Sequence, residues 1–387
     1  MAPPNLRVLP CPAGPAGLDV LVPPLTAALD GAGPPLALFP EDAAGADRQV
    51  RPDEPLEADG VAALVTTSGS TGEPKSVLLP AAALRASAVA TLDRIGGPGQ
   101  WLLALPPHYV AGLQVVVRSV VAGTTPVALE PGPFTAEAFA QATARLDPAA
   151  RRYAALVPTQ LARALADPAG REALAAYDTV LLGGAAAPAR LLDQARRAGV
   201  TVLTTYGMSE TCGGCVYDGR PLDGVTADIR PDGRIRLAGP VLAAGYRLRP
   251  DLSAAAFTVD AGRRWHVTPD LGRFADDGTL EVLGRADDVA VSGGVNVPLA
   301  AVERALAAHP GVTGVACLAA PDPEWGERVV AFVTVAGSAP TLDELRDHVA
   351  AGRPRAWAPR ELVVLDELPL LASGKPDRRR LRARLAG

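Results

Sequence analysis

Between residues 61 and 204 the chain alternates short apolar runs of strand length with alanine-rich stretches of helix length. Alternation of this kind, with continuously apolar strands, is typical of a mostly parallel sheet covered by helices on both faces. The pattern therefore predicts an α/β fold. The predicted strands are 61–66, 101–105, 126–129, 153–157, 179–182 and 200–204, and the predicted helices are 81–95, 110–121, 136–146, 160–165 and 189–197.

The segments on either side differ from this region in composition and in hydrophobic pattern. Residues 1–57 are rich in proline and show little periodicity, which predicts a loosely structured lead-in with a short helix or two. After residue 224, Asp-Gly and Pro-Asp turns separate short strands, which predicts a small antiparallel or barrel-like sublobe. The predicted strands of this sublobe are 229–237, 245–248, 265–267 and 279–283.

The last hundred residues predict a small α+β domain. Its predicted elements are a helix at 298–308, strands at 312–318 and 328–335, a helix at 342–349 and a strand at 361–365. We therefore divide the chain into a large N-terminal domain, residues 1–285, and a C-terminal domain, residues 286–387.

Charge and cysteine content exclude several classes of protein. The net charge of −5 argues against a nucleic-acid binder, whose domains are typically basic. No apolar run approaches the roughly 18–20 residues of a membrane helix, and the first residues lack the charged head and apolar stretch expected of a signal peptide. Four cysteines in so long a chain do not make a disulfide framework. We expect a cytoplasmic protein without a membrane or nucleic-acid partner, and a homo-oligomer remains open.

The chain contains only two lysines, Lys75 and Lys375, although Lys and Arg together number 37. An ammonium is a compact point charge that the planar guanidinium does not replace at every site. Both lysines lie in glycine-containing segments, where each is expected to contact a phosphate or a developing oxyanion. Chance survival of two lysines in an arginine-rich sequence is the alternative.

The first of these segments, Thr66 to Ser76, follows a predicted strand and is rich in Gly, Ser and Thr. Unhindered backbone N–H groups and hydroxyls of this kind suit a polyphosphate, although a solvated turn is the alternative. Counted from Gly69, the sixth position is Pro74 instead of the glycine that a P-loop requires. The motif therefore excludes a P-loop ATPase.

Two further segments combine glycine with functional side chains. At residues 204–211, Tyr206 and Glu210 follow a predicted strand, at the edge where ligands gather in open α/β sheets. Glu210 is a candidate Mg²⁺ ligand and Tyr206 a candidate base-stacking ring; polar surface is the alternative. Residues 284–294 are charged and glycine-rich, which suits either a hinge or an ordinary linker.

Together these segments occur in the order and approximate spacing of the adenylate-forming superfamily of acyl- and aryl-CoA synthetases, which the chain resembles from about Val61 onward. The resemblance implies a large N-terminal domain and a small, mobile C-terminal domain. It also implies an ATP-dependent acid–CoA ligase that works through an acyl-adenylate, with ATP, Mg²⁺ and coenzyme A.

The resemblance further implies roles for single residues. Lys375 and Glu210 would be catalytic, with Glu210 as the Mg²⁺ ligand; Asp287 would be the hinge, and Gly293 and Gly294 would line the CoA channel. The implied nucleotide-binding residues are Thr67, Ser68, Gly69, Ser70, Thr71, Gly72, Lys75, Gly183, Gly184, Ala185, Tyr206, Ser209, Asp270 and Arg285.

Within the superfamily, the chain is most similar to the o-succinylbenzoate–CoA ligases of menaquinone biosynthesis, in their short actinobacterial form. The similarity lies in residues 105–114 with Arg118, in 156–161 and in 205–219. It implies 2-succinylbenzoate as substrate, bound by His108, Tyr109, Arg118 and Gly207. The alternatives are a ligase for another aryl or acyl carboxylate, and a noncatalytic homologue that binds acyl-adenylate. The retained Lys375 argues against the latter.

Arg118 interrupts an apolar run, and a buried, unpaired guanidinium is costly. It is expected to recognise a second carboxylate of the acid, with a snorkelling arginine or a structural ion pair as alternatives.

Some residues depart from the superfamily pattern or suggest other chemistry. Tyr109 stands where a gating histidine is usual, Pro269 interrupts a Thr-Gly-Asp motif, and Val295 replaces a polar residue after the two glycines. Cys212 and Cys215 form a Cys-x-x-Cys pair, but a second pair is missing, so we expect them to form apolar pocket wall.

Overall fold

The computed structural model describes residues 6–68, 74–369 and 376–385. The strands are β1 (Arg7–Cys11), β2 (Leu36–Pro40), β3 (Val61–Ser68), β4 (Pro74–Pro80), β5 (Gln100–Leu103), β6 (Val127–Ala128), β7 (Arg152–Leu156), β8 (Thr179–Leu182), β9 (Val202–Met208), β10 (Gly213–Tyr217), β11 (Arg220–Pro221), β12 (Thr226–Ile229), β13 (Arg234–Ala238), β14 (Gly245–Tyr246), β15 (Phe257–Asp260), β16 (Arg263–Phe274), β17 (Leu280–Arg285), β18 (Val289–Ser292), β19 (Val295–Pro298), β20 (Val312–Asp322), β21 (Gly326–Val335) and β22 (Glu361–Val364). The helices are α1 (Pro15–Leu29), α2 (Ala46–Val50), α3 (Ala81–Ile95), α4 (Val110–Ala122), α5 (Ala136–Thr143), α6 (Pro158–Ala166), α7 (Pro168–Ala175), α8 (Ala189–Arg197), α9 (Pro250–Ala256), α10 (Leu299–Ala307), α11 (Leu342–Ala350) and α12 (Arg378–Leu385), with 3-10 turns at Ser209–Thr211 and Arg355–Trp357.

The chain folds into two compact units. The first contains the chain up to Ala187 together with Leu191–Asp228 and Arg236–Val267, and the second contains Pro188–Arg190, Ile229–Ile235 and the chain from Thr268 onward. Within the described residues, every helix is too short or too polar to cross a membrane.

A seven-stranded sheet in the order β11-β10-β9-β8-β7-β5-β6 forms the centre of the first unit. The pairs from β6 to β9 are parallel, and β10 and β11 continue the sheet antiparallel. All four residues of β8 are buried, as expected for a strand covered on both faces. The α/β fold predicted from the strand–helix alternation is confirmed.

The prediction of a loosely structured lead-in is wrong. Residues 7–50 form β1, α1, β2 and α2, and the parallel strands β1, β2 and β3 begin a second sheet, of order β1-β2-β3-β4-β14. Leu21 and Leu25 of α1 are fully buried. Pro23 and Pro24 lie inside this helix and mask its pattern, because prolines normally end a helix. Burial of the leucine face outweighs that local preference.

The predicted phosphate-binding segment joins two antiparallel strands, since β3 pairs with β4 and Thr67 lies opposite Lys75. The strand β4 was not predicted, because its first three residues, 74–76, belong to the segment interpreted as a phosphate loop. Strand β14 adds to the other edge of β4 through Gly245–Leu78 and Tyr246–Val77. Residues 69–73 lie outside the described part of the chain.

The predicted antiparallel sublobe is confirmed for its strands at 265–267 and 279–283, which belong to β16 and β17, whereas the predicted strand at 245–248 is β14 of the sheet that contains β4. The first half of β16 pairs with β15 inside the first unit, and its second half pairs with β17 inside the second unit. The single strand predicted at 229–237 is wrong, because a turn closed by Arg230 N–H donating to the carbonyl of Arg234 separates β12 from β13.

The predicted α+β elements of the C-terminal region are confirmed. Strands in the order β19-β18-β21-β20, with β22 parallel to β21, form a sheet. Helices α10 and α11 contribute Leu306 and Leu345 to the same core as Val333 of β21. All three of these side chains are fully buried.

The glycine-rich segment at 284–294 is largely regular structure instead of a loop. Strands β18 and β19 form a hairpin in which Ser292 pairs with Val295. Gly293 and Gly294, the two residues of its turn, have φ of 58° and 77°. Two-residue hairpins of this type need positive φ at both positions, which favours glycine. The hairpin therefore explains both glycines by backbone geometry, and their contact with CoA stays a prediction.

Candidate active site

Tyr206 lies near the end of β9, and Ser209 and Glu210 lie in the tightly held turn that follows it. The turn residues Ser209–Thr211 follow β9 directly. The hydroxyl of Thr211 accepts a hydrogen bond from Met208 N–H at 3.0 Å and donates to the carbonyl of Gly213 at 2.8 Å. This bonding holds Glu210 at the carboxyl edge of the central sheet, where ligands bind in open α/β folds.

Glu210 fits the role of a magnesium ligand. One of its oxygens, Oε1, accepts a hydrogen bond from the Tyr246 hydroxyl at 2.7 Å. No lysine or arginine of the described segments forms an ion pair with it, and those segments hold no cluster of three or more acidic, His or Cys side chains able to bind a metal. Mg²⁺ suits such a site, because it binds through one or two carboxylates together with substrate phosphates and water.

Tyr246 is a functional side chain that the sequence reasoning missed. It is buried, and burial together with the nearby Glu210 raises its pKa, so the phenol stays protonated and donates. The ammonium of Lys75 lies 5.5 Å from the centre of the Tyr246 ring, within cation–π range. A tyrosine in a two-residue strand carries no sequence signal for either contact.

A cavity of about 130 Å³ opens beside β9 and α4. Its volume is close to the roughly 150 Å³ of an apolar cavity that accommodates benzene, so an aromatic ring fits. Its lining brings together predicted residues from the nucleotide and substrate sets. The lining residues are Leu105, Val110, Ala111, Gln114, Arg118, Ala155, Leu156, Val157, Leu181, Gly183, Gly184, Thr205, Gly207, Gly213, Gly214 and Tyr217.

Arg118 brings a buried positive charge to this cavity. It is 3% exposed, its guanidinium carbon lies 5.0 Å from the centre of the Trp101 ring, and it donates to the Tyr217 hydroxyl at 3.5 Å. Its Nε lacks a hydrogen-bond partner, and no carboxylate among the described residues pairs with it. Burial lowers its pKa. The structure thus contradicts both a snorkelling arginine and a structural ion pair.

Gln114 lies one helical turn before Arg118 on α4 and also lines the cavity. Its side-chain amide donates to the carbonyl of Cys212 at 2.7 Å, while its Oε1 has no partner within the described chain. The sequence contained a signal for it, because residues four apart share a helix face and both interrupt the same apolar run. The lining of the cavity therefore includes a buried hydrogen-bond acceptor, Gln114 Oε1, and a buried cation, Arg118.

The glycines of the cavity allow close backbone packing. A Cβ on Gly207 would lie 2.1 Å from the carbonyl oxygen of Gly213, so only glycine permits β9 and β10 to pair there. Gly183 and Gly184 follow β8 and line the same cavity, whereas Ala185 is exposed beyond it. Their predicted contacts with adenine stay predictions.

His108 and Tyr109 are not among the residues that line the Arg118 cavity. Their rings lie 4.4 Å apart, and Tyr109 is 55% exposed. His108 lines a separate cavity of about 660 Å³ together with Asp42, and burial lowers its pKa. Leu105 lines both cavities. The predicted binding of substrate by these two side chains stays a prediction.

In the second unit, three predicted residues lie close together. Asp270 of β16 lies opposite Arg285 of β17. Arg285 donates to both carboxylate oxygens of Asp287, at 2.8 and 3.0 Å. This bidentate pair lowers the pKa of Asp287 and raises that of Arg285. Arg285, which is predicted to bind the ribose, thus forms an ion pair with Asp287, the predicted hinge residue. Both roles stay predictions.

The remaining predicted residues concern the phosphate loop and the catalytic lysine. Thr67 lies at the end of β3, and its hydroxyl donates to the carbonyl of Lys75 at 3.4 Å. Ser68 is described by its backbone alone. Outside the described residues lie Gly69, Ser70, Thr71, Gly72 and Lys375.

All four cysteines are buried and unpaired. Burial raises the pKa of Cys11 to about 11 and that of Cys215 to about 12, and it also raises the pKa values of Cys212 and Cys317. Thiol reactivity requires an accessible thiolate, so buried thiols with raised pKa values argue against redox chemistry. Cys212 and Cys215 are not among the residues that line the cavity beside β9 and α4, so the expected pocket wall stays a prediction.

We therefore expect the folded protein at pH 8 to leave its thiols unmodified by Ellman's reagent during the time in which a denatured sample reacts completely. Mass spectrometry of the alkylated peptides would identify each thiol. Rapid modification of Cys212 or Cys215 in the folded protein would contradict this and would reopen redox chemistry for the pair.

Comparison with known proteins covers most of the chain. Residues 18–247 match the model of the AMP-binding enzyme family, and residues 301–375 match that of the AMP-binding enzyme C-terminal domain. The chain is 47% identical to a probable 2-succinylbenzoate–CoA ligase of Mycobacterium tuberculosis, over 99% of each chain. It is 33% identical to a sulfoacetate–CoA ligase of Cupriavidus necator, over 95% of this chain and 74% of the relative.

A solved structure of a 2-succinylbenzoate-activating enzyme also matches the chain. The o-succinylbenzoate CoA synthetase of Bacillus subtilis, in complex with the acyl-adenylate intermediate OSB-AMP, matches with a TM-score of 0.75 and 25% sequence identity. The match covers 98% of this chain and 89% of that one.

Proposed function

Because the chain belongs to the AMP-binding enzyme family, as an AMP-forming acid–CoA ligase that uses ATP, Mg²⁺ and coenzyme A, we propose that its acid is 2-succinylbenzoate. The product is then 2-succinylbenzoyl-CoA, a step of menaquinone biosynthesis. The similarity to a probable 2-succinylbenzoate–CoA ligase over 99% of the chain supports this choice.

The buried charge of Arg118 is the observation that carries the proposal. A guanidinium at 3% exposure without a carboxylate partner in the described chain carries an electrostatic cost that a bound anion offsets. The cavity that it lines accommodates an aromatic ring. An aryl acid with a second carboxylate supplies both the ring and the anion, because its first carboxylate is consumed in the reaction.

The reaction has two steps. A carboxylate oxygen of the acid attacks the α-phosphorus of ATP, which forms the acyl-adenylate and releases pyrophosphate. The CoA thiol then attacks the acyl carbon and displaces AMP. Negative charge builds on phosphates that are already anionic, so catalysis is chiefly electrostatic.

The residues of this chain supply that electrostatic stabilisation. Glu210 would hold Mg²⁺, which when bound neutralises charge on the phosphates. The hydroxyl and backbone N–H groups of the segment from Thr67 to Lys75 donate to the phosphates, and the Lys375 ammonium lowers the repulsion between carboxylate and phosphate. Tyr206 stacks on adenine, and Ser209 contacts the α-phosphate.

The remaining assignments are proposals supported by the superfamily resemblance. Asp270 and Arg285 bind the ribose hydroxyls, Asp287 is the hinge between domains 1–285 and 286–387, and Gly293 and Gly294 line the path of CoA. We also propose a cytoplasmic location, with the oligomeric state to be measured by light scattering.

Incubation of the protein with ATP, Mg²⁺ and CoA and one of three acids tests the choice of acid. We expect AMP and a CoA thioester from 2-succinylbenzoate, detected by mass spectrometry, and at most slow turnover of benzoate, which lacks the second carboxylate. Sulfoacetate is the third acid, because one relative, 33% identical to this chain, is named a sulfoacetate–CoA ligase.

The other outcomes separate the alternatives. Faster turnover of sulfoacetate or benzoate would replace 2-succinylbenzoate by another acid within the same enzyme class. Tight binding of the acyl-adenylate with no AMP from any acid would favour the noncatalytic homologue.

A further inference from the structure

Tyr246 connects two parts of the candidate site that are far apart in the chain. Its hydroxyl donates to Glu210 Oε1 at 2.7 Å, and its ring lies beneath the Lys75 ammonium at 5.5 Å. We propose that Tyr246 is a positioning residue that sets the carboxylate of Glu210 for the metal and the ammonium of Lys75 for the phosphates. This inference rests on the proposed function.

The backbone around Tyr246 is bonded to both of the segments that it connects. On one side, β14 pairs with β4, the strand that carries Lys75, through Tyr246 and Val77. On the other side, the N–H of Ala243 donates to the backbone carbonyl of Glu210 at 2.9 Å. The short segment from Ala243 to Tyr246 therefore fixes the separation between the phosphate-loop strand and the Glu210 turn.

The Tyr246 side chain is itself held by packing. It is 4% exposed, and its ring centre lies 6.0 Å from that of Phe257. Its own N–H donates to the Ser253 hydroxyl at 2.9 Å. Arg264 donates at 2.8 Å to the carbonyls of Ala243 and Ala244, just before the strand. A phenol fixed in this way orients the carboxylate that it contacts.

The two contacts of Tyr246 differ chemically and can be separated by mutation. The hydroxyl bonds to a charged acceptor and limits the rotation of the Glu210 carboxylate. Loss of a partner that orients a metal ligand typically costs about 10–100-fold in metal affinity or activity. The ring contributes the weaker cation–π contact with Lys75, worth about two- to fivefold at an accessible site.

Three variants test this assignment. Tyr246→Phe removes the hydroxyl but retains the ring, and Tyr246→Leu removes both. The matched control is Tyr177→Phe, since Tyr177 is also buried and bonds to the Thr143 hydroxyl at 2.7 Å in a different core cluster. Thermal unfolding of each variant establishes that it is folded at the assay temperature.

The primary measurement is Mn²⁺ binding, followed by electron paramagnetic resonance in the presence of a nonhydrolysable ATP analogue. We expect Tyr246→Phe to weaken Mn²⁺ binding about 10–100-fold and to raise the Mg²⁺ concentration for half-maximal AMP formation by a similar factor. Tyr246→Leu should raise the KM for ATP at saturating Mg²⁺ by a further two- to fivefold or so. Tyr177→Phe should leave these quantities at wild-type values.

A double-variant cycle distinguishes positioning from general destabilisation. If Tyr246 acts through Glu210, adding Tyr246→Phe to Glu210→Gln should not weaken Mn²⁺ binding further. The inference would be overturned if the two variants weakened Mn²⁺ binding additively, or if Tyr246→Phe bound Mn²⁺ as tightly as the wild-type protein. The proposed function would stand in both cases, provided that the wild-type protein forms the acyl-adenylate. Absence of adenylation by the wild-type protein would instead refute the proposed function.

Discussion

Replacing Lys375 with alanine is expected to slow acyl-adenylate formation by about 10²–10³-fold, the usual effect of losing one donor that stabilises a developing charge. Transfer of a supplied acyl-adenylate to CoA should continue at close to the wild-type rate, because the proposed hinge at Asp287 moves the lysine away from the nucleotide before the thiol attacks. Pyrophosphate release measures the first half-reaction, and formation of the CoA thioester from 2-succinylbenzoyl-AMP measures the second.

Two further variants serve as controls for Lys375. Arg380→Ala removes an exposed positive charge from the neighbouring helix α12 and should leave both half-reactions unchanged. Lys375→Arg keeps the charge but replaces a point ammonium by a planar fork, and it should remain impaired. An equal loss of both half-reactions in Lys375→Ala would contradict the assignment of this lysine to adenylation.

Replacing Arg118 with methionine should have opposite effects on substrate binding and on stability. The KM for 2-succinylbenzoate should rise about 10²-fold, as expected when one partner of a buried charge pair is removed. The free energy of unfolding without substrate should increase, because methionine fills a similar volume without burying an unpaired charge. Steady-state kinetics and urea denaturation measure the two quantities.

The second buried arginine, Arg247, provides a matched control. Like Arg118 it is 3% exposed, but its guanidinium donates to several partners, among them the carbonyls of Val50 and Arg51 at 2.8 and 2.7 Å. Arg247→Met should therefore reduce the free energy of unfolding by about 3–5 kcal/mol, the usual cost of breaking a buried charged network. An unchanged KM in Arg118→Met, or a loss of stability like that of Arg247→Met, would show that Arg118 is structural.

The order of strands and helices in the central sheet was predictable from the sequence, and so was the sheet edge at which the candidate site residues lie. The parallel strands β5 to β9 and the helices between them follow from apolar runs and alanine-rich stretches that act within a few residues. Glu210 and the phosphate-loop segment were proposed as site residues because each lies in a turn that follows a strand, the edge at which ligands bind in open α/β sheets. The superfamily resemblance added the reaction class, which the family models bear out.

Predictions from local sequence failed where the tertiary structure favoured a different conformation. Only a short helix or two was predicted in residues 1–57, and the 15-residue helix α1 was not located because Pro23 and Pro24 interrupt its pattern, although Leu21 and Leu25 are fully buried. In the segment 284–294, interpreted as a hinge or an ordinary linker, Gly293 and Gly294 form the turn of the hairpin β18–β19, and the hinge role of Asp287 stays a prediction.

What the sequence determined by itself was the alternation of strands and helices and the chemistry of its motifs, because both depend on neighbouring residues. Only the tertiary structure decided that Arg118 is buried without a carboxylate partner among the described residues, and that Tyr246 bonds to Glu210, 36 positions away. These features depend on which side chains are packed together and removed from water, and that outcome is set by the whole core and not by any single segment.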